Sequence, residues 1–566
     1  MQQQNNTYYN INDLLNTDLS NFSNLNIQLE NCSIPNQEMI VKLKSSLEEC
    51  TQIQTLILNL EQNEIECDQI RLLTDDLPIY KDLNTLQLLL SQNQISQQGA
   101  SILGSFLKKC QQLKKLKIDI SENYIGSDGL SELANGIQTT QSIQHLEFQI
   151  GNNYIEDDGA LALSKALTYL SAQLTDLIIE LNENKITEVG AYKISEALSV
   201  CKDLKTLELY LDSNSIGDRG ASSIATGISK CTQLTFLKLD LSQSEIEDEG
   251  TCQLGEKLSS FQYLTNVHIS LENNKIRDKG ISSIAIGLSN CKQITNLSLR
   301  LKRNKIDQEG ANAIGVGIST LSNLTHILLY LCENRLGERG ASNIASGLSK
   351  CTQIKELSLS LASNKIKDQG ANAVGEALSN CKNLNKLELW LKKNEISDVG
   401  TNSIAAGLNN CQQITSLLIS LFKNKIINEG ACAIGTTLSK LTNITELKMF
   451  FDQNKIDDVG ISGIANGLSN CSQIKTLDFS FFGNNLTSQG YSQIDQCLYS
   501  MKNLILLQCD LSDGEKLLKS KEILNCNNIK VLNIILTKCQ SESEMMYHKI
   551  KALKIKRLVK LQLEID

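Results

Sequence analysis

Apolar residues of the segment 204–233 fall first at Leu204, Leu207, Leu209 and Leu211, and the last three alternate with polar neighbours. A period of two is the mark of a half-buried strand. Asn214 and Ile216 close that stretch, and the period then changes. Ala221, Ile224, Ala225 and Ile228 recur at i, i+3, i+4 and i+7, one apolar stripe along a helix. Asp218 and Gly220 stand where the helix begins. An aspartate there accepts hydrogen bonds from the free N–H groups, so Asp218 is expected to cap its own helix. Asp248, Asp278, Asp368, Asp398 and Asp458 hold the same place, Asp128 and Asp158 stand one residue later, and all carry the same expectation. Gly220 lets the chain turn or the helix approach the strand closely.

This unit of one strand and one helix recurs every thirty residues. Eleven consecutive glycines, from Gly190 to Gly490, keep that spacing, and six residues before each stands an asparagine, with Ser244 the one exception. Fourteen units carry the glycine, from Asn93 and Gly99 to Asn484 and Gly490; Asn63 marks a weaker unit and Asn31 a degenerate one. One extra residue near Ser171–Gln173 shifts the frame. A period of this length means a solenoid, in which no unit buries its apolar face alone. Pro35 and Pro78 are the only prolines, so the array contains no breaker after residue 78. The expected organisation is a Gln/Asn-rich lead-in over 1–25, disordered or loosely packed, a solenoid of about 15–16 units over 26–500, and degenerate repeats with a C-terminal cap over 501–566.

The motif LxxLxLxL…NxI…GAxxIAxGL, across roughly residues 50–500, resembles the leucine-rich repeat of the ribonuclease-inhibitor-like class. The resemblance implies an α/β fold: a right-handed leucine-rich-repeat solenoid, or horseshoe, with parallel strands concave and helices convex. Strands pair about 4.8 Å apart and helices need about 8–10 Å, so a turn of roughly 20° per repeat is expected, and fourteen units sweep most of a circle. The resemblance also implies a ladder of asparagine side chains, with a local soft spot at Ser244. The family pattern runs LxxLxLxxN; two extra residues before the asparagine here imply a longer strand and a wider inner face.

Charge and chemistry narrow the function. The net charge of −9, from 54 basic and 63 acidic residues, argues against a general nucleic-acid binder. No stretch approaches the roughly 18 apolar residues of a membrane span. Residues 1–25 do not read as a secretory signal, so a cytoplasmic location is expected. Of 18 cysteines, nine (Cys50, Cys110, Cys201, Cys231, Cys291, Cys351, Cys381, Cys411 and Cys471) share one repeat position with Phe261, Leu321, Leu441 and Met501. A position that exchanges Cys for Phe and Leu is a buried apolar one, and unpaired thiols suit a reducing compartment. CxxC, HExxH, GxxxxGK[ST] and the DxDxDG calcium run are absent, and the four histidines match no triad. No catalytic residue, cofactor or metal site is expected.

A partner surface remains. Residues alternating with the core leucines face the concave side: Lys117, Asp119, Glu147, Glu180, Glu208, Asp212 and Asp240 among the earlier units, then Tyr330, Trp390, Phe422, Phe450 and Phe482 further along. Arg300, Lys302, Arg303 and Lys392 lie among these rings. Aromatic residues and Arg are the usual interface anchors, so a protein partner is expected to dock on this face. The chain reads as a non-enzymatic interaction scaffold. GAxxIAxGL units are also similar to those of Ran GTPase-activating proteins, which implies a small GTPase as alternative partner, although the long acidic tail of that family is missing. A third reading is the repeat portion of a larger signalling receptor or kinase. The basic amphipathic stretch from His548 to Lys560 is expected to be a capping helix or a contact for an acidic surface.

Overall fold

The computed structural model describes residues 7–20, 22–32, 37–74, 82–511, 529–536, 558 and 560–565. They form two compact units, Met1–Gln293 and Ile294–Asp566. Each unit is a leucine-rich-repeat solenoid: strand and helix alternate, and every strand of a unit pairs in parallel with the next one in the chain. In the first unit the pairing runs from Thr7–Tyr8 to Asn266–Ser270, and in the second from Asn296–Arg300 to Lys560–Ile565. Register repeats as the motif does. Leu207 lies beside Leu237 and Leu209 beside Leu239, just as Leu357 lies beside Leu387.

The core sits between the strand layer and the helix layer. Along Thr206–Tyr210 the side chains alternate half-buried and buried, and Leu207, Leu209, Leu211, Ile216, Ile224 and Ile228 are all buried. Each full burial of such a side chain contributes about 1.5–3 kcal/mol, repeated at every turn of the solenoid. The nine cysteines of the shared position are buried in the same layer. Cys231 Sγ donates to the Leu198 carbonyl of the preceding repeat at 3.3 Å, and burial pushes its thiol up to about 12. No helix among the described residues is long and apolar enough to cross a membrane.

The ladder asparagines close each strand-to-helix turn. Asn214 Nδ2 donates to the carbonyls of Leu181, Leu211 and Asp212, and its Oδ1 accepts from the N–H groups of Asn184 and Ile186. One side chain thereby satisfies backbone groups of two repeats that water does not reach.

Three expectations need correction. The strands from Asn24–Gln28 to Thr476–Ser480 are five residues long and stop short of the asparagine, because the residue before it turns left-handed: Ser213 has φ 58° and Glu333 φ 58°. Hydrogen bonding between repeats nevertheless continues past the strand, from Leu181 N–H to Tyr210 O and from Glu183 N–H to Asp212 O. The first-turn aspartates do not cap their own helices. Asp218 Oδ1 accepts from Glu247 and Gly250, at 2.8 and 2.9 Å, and Asp368 Oδ1 accepts from Ser397 and Gly400, at 2.8 and 3.0 Å. These carboxylates, with Asp248, Asp398 and Asp458, thus cap the next helix, at the end where the helix dipole favours negative charge, and in the Asn153 repeat Asp157 does so in place of Asp158. Third, part of the 1–25 segment is folded. Thr7 and Tyr8 pair with Asn26 and Ile27, and the helix Ile11–Leu15 buries Ile11 and Leu14. The basic residues 548–557 lie outside the described residues.

The glycine column serves helix packing. A Cβ on Gly220 would stand 2.8 Å from Ile216 and 3.1 Å from Ala191 of the preceding helix. A second set of glycines brings helix backbones into contact in pairs: a Cβ on Gly287, Gly347, Gly407 or Gly467 would meet the carbonyl oxygen of Gly255, Gly315, Gly375 or Gly435 at 2.0–2.2 Å. The paired glycines recur every sixty residues, so two repeats form the packing unit.

Candidate interaction surface

On the strand face of the second unit, one register column reads Tyr330, Ser360, Trp390, Ser420, Phe450, Ser480. Rings alternate with buried serines. The small serines leave room above them, and Trp390 and Phe450 lean across Ser420 to stack, with centroids 6.3 Å apart and planes 14° from parallel. Two strands are about 9.6 Å apart, so this approach depends on the serine between. The rings stay half-buried on the polar face, while Leu389 and Met449 fill the core from the same strands.

The nine residues singled out in the sequence separate into groups. The Arg300 guanidinium lies 4.9 Å over the Tyr330 ring, and Lys392 Nζ lies 5.1 Å over Phe422. Trp390 and Phe450 form the stack. Phe482 joins Phe422 and Phe450 around a cavity of about 330 Å³. Lys302 and Arg303 turn instead to Glu333, at 3.6 and 2.7 Å. The hydrogen bond from Arg303 holds the Glu333 carboxyl below its usual value. These two cations are therefore partly neutralised by surface pairing that water and salt screen.

Sequence reasoning missed the carboxylates of the cavity: Asp452, Asp478 and Asp510 line it beneath the phenylalanines. Asp452 Oδ1 accepts from the Phe482 N–H at 3.0 Å and from the Ser480 hydroxyl. Burial raises Asp452, and it pushes Asp478 up to about 6 against the opposing pull of Lys448. The signal was present in the columns: Asp452 stands where Lys392, Phe422 and Phe482 stand in neighbouring repeats.

The strand face of the first unit is polar and mainly acidic. Lys117 pairs with Glu147 at 2.7 Å, and the Tyr210 hydroxyl donates to Glu208 at 2.6 Å. Burial raises Asp119 and Glu180, and burial with the nearby Asp240 lifts Asp212 to about 6. Because the folded carboxyl of Asp212 titrates above its ordinary 3.8, the folded chain holds a proton that the unfolded chain has released between about pH 4 and 6. Stability gains from this group as pH falls through 6, and the gain is absent above 6. Asp212→Asn is therefore expected to stabilise the first unit by about 1 kcal/mol at pH 7.5 after solvent screening, and by little at pH 4. Thermal melts at the two pH values check this; an equal effect at both would count against it.

His268 is half-buried with its ring 5.4 Å from Phe236, and His326 Nε2 lies 3.6 Å from Glu356. Among the described residues no three His, Cys, Asp or Glu side chains converge on a metal position.

Comparison with known proteins adds the following. Residues 204–225 match the family model described as Leucine Rich repeat. No curated protein sequence matches the chain. Among solved structures, the chain is similar to the leucine-rich-repeat ectodomain of the Arabidopsis receptor kinase HAESA in complex with an N-terminally extended IDA peptide hormone ligand. That match has 13% identity and a TM-score of 0.39, and it covers 90% of this chain and 79% of that one.

Proposed function

We propose that this leucine-rich-repeat protein is a non-enzymatic scaffold that captures a protein partner on the strand face of its second unit. Tyr330, Trp390, Phe422, Phe450 and Phe482 are its anchors, and Arg300 and Lys392 are cations already stacked on rings. The observation that carries the reading is the Trp390–Phe450 stack over buried Ser420. Large rings held on the solvent side of a sheet whose core is filled by other residues have no packing duty inside the fold. Aromatic groups of this kind dominate interface energetics.

The full helix of each repeat, such as the 12-residue Gly217–Ile228, supports assignment to the ribonuclease-inhibitor-like class. The unpaired thiols of the buried cysteine column support a reducing, cytoplasmic setting.

Affinity capture followed by crosslinking tests the reading by mapping linked lysines onto the strand or helix layer. Trp390→Ala is expected to weaken capture about thirtyfold, the effect of losing a hot spot of roughly 2 kcal/mol. Val399→Ala, on the exposed helix layer, is expected to change nothing. Unaltered capture by a folded Trp390→Ala protein removes the reading.

A further inference from the structure

The cavity beneath the phenylalanines has a composition that a general docking face does not need. Its walls include Phe422, Phe450 and Phe482, and Asp452, Asp478 and Asp510 face the same space of about 330 Å³. Burial raises both Asp452 and Asp478, and the charge of Asp452 adds to the rise at Asp478. Lys448, beside Asp478 in register, opposes that rise while its ammonium also engages Glu446 at 3.2 Å, and burial still prevails. A cation supplied from outside offsets the remaining cost of holding these carboxylates in the hollow.

We infer that this cavity receives an arginine side chain of the bound protein, its guanidinium set against the phenylalanine faces and hydrogen-bonded to the aspartates. The inference rests on the docking face proposed above and names the chemistry of what docks there. Charge complementarity selects a cation. The aromatic walls select a flat, weakly hydrated one, because a guanidinium stacks on rings and presents several donors in a plane, whereas an ammonium is compact and strongly hydrated. Paired donors also match carboxylate geometry, which makes these the stronger hydrogen bonds. Burial of Asp478 fits the same picture, since the cost of holding that carboxylate away from water is offset when a cation arrives.

The only tryptophan of the chain reports on the site, because Trp390 stacks on Phe450, a wall of the cavity. The full chain is titrated at constant ionic strength with acetyl-arginine amide, acetyl-lysine amide and acetyl-citrulline amide, following Trp390 emission. A saturable arginine response is expected, with the uncharged citrulline compound at least tenfold weaker and the lysine compound weaker than arginine. Asp478→Asn and Phe482→Leu are each expected to weaken arginine binding at least tenfold, with denaturation midpoints no lower than that of the unsubstituted chain for Asp478→Asn and little changed for Phe482→Leu. Should Asp478→Asn fail to fold, Phe482→Leu keeps the test open, since it preserves an apolar wall and removes the ring face. Equal responses to arginine and citrulline, or wild-type binding by either variant, overturn the inference; an equal lysine response overturns the guanidinium assignment. Arginine binding that persists while partner capture ignores Trp390→Ala sinks the docking face and leaves the cavity assignment standing.

Discussion

Gly407→Ala is expected to destabilise the second unit by about 3 kcal/mol or more, although the same exchange in an open helix adds about 1 kcal/mol of stability. The helix Asp398–Leu408 lies against the helix Lys367–Leu378 at this point. A Cβ on Gly407 would stand 2.0 Å from the Gly375 carbonyl oxygen and 2.7 Å from its carbon. Backbone meets backbone, so no flexible side chain can give way and the two helices must separate. Ala377 holds the same place in the earlier helix and is buried without such a contact. Ala377→Gly should cost only the intrinsic difference of about 1 kcal/mol. Urea midpoints of the two variants decide the matter: a rise in midpoint for Gly407→Ala would show that the helices do not touch there.

Asn394→Ala is expected to cost on the order of 4 kcal/mol, because it strands several buried backbone groups at once. Asn394 Nδ2 donates to the Leu361 and Leu391 carbonyls at 2.9 and 3.1 Å, and Oδ1 accepts from Asn364 and Ile366 at 2.9 and 3.4 Å. Alanine replaces none of these. Amide hydrogen exchange at Asn364 and Ile366 should accelerate together with the fall in urea midpoint; protection kept at both amides would refute the ladder's role. Ser244 is the chain's own weakened rung. Its hydroxyl reaches the carbonyls of Leu211 and Ser242 at 3.4 and 3.1 Å, but a serine has no amide oxygen for the Asn214 and Ile216 N–H groups. Exchange at those two positions should outpace that at Asn184 and Ile186, which have Asn214 as acceptor. Ser244→Asn should close the gap.

Much of the proposed surface was legible because strand alternation alone decides which side chains leave the core. Tyr330, Trp390 and Phe450 were placed on the open face by that rule, and the structure puts them there. Their grouping was not legible. Lys302 and Arg303 look equivalent to Lys392 in a list of columns, yet Glu333 claims the first two and a ring takes the third. That outcome depends on which residue stands about thirty positions away in the neighbouring repeat. The sixty-residue period of the paired glycines was in plain view as well. It carried no weight until helix backbones were seen to touch through them, and the rings and serines of the strand face follow the same two-repeat rhythm.

By itself, the amino-acid sequence determined the unit, its period, its buried and exposed faces and the cysteine column, because each depends on residues within one turn of strand or helix. Tertiary structure alone decided the length of the strands, the helix that each aspartate caps, the ring stack and the acidic cavity. These are contacts between repeats, where side chains remote in the chain compete for the same partner and the solvent. Local periodicity says which way a side chain points, but only stacked neighbours determine what it meets.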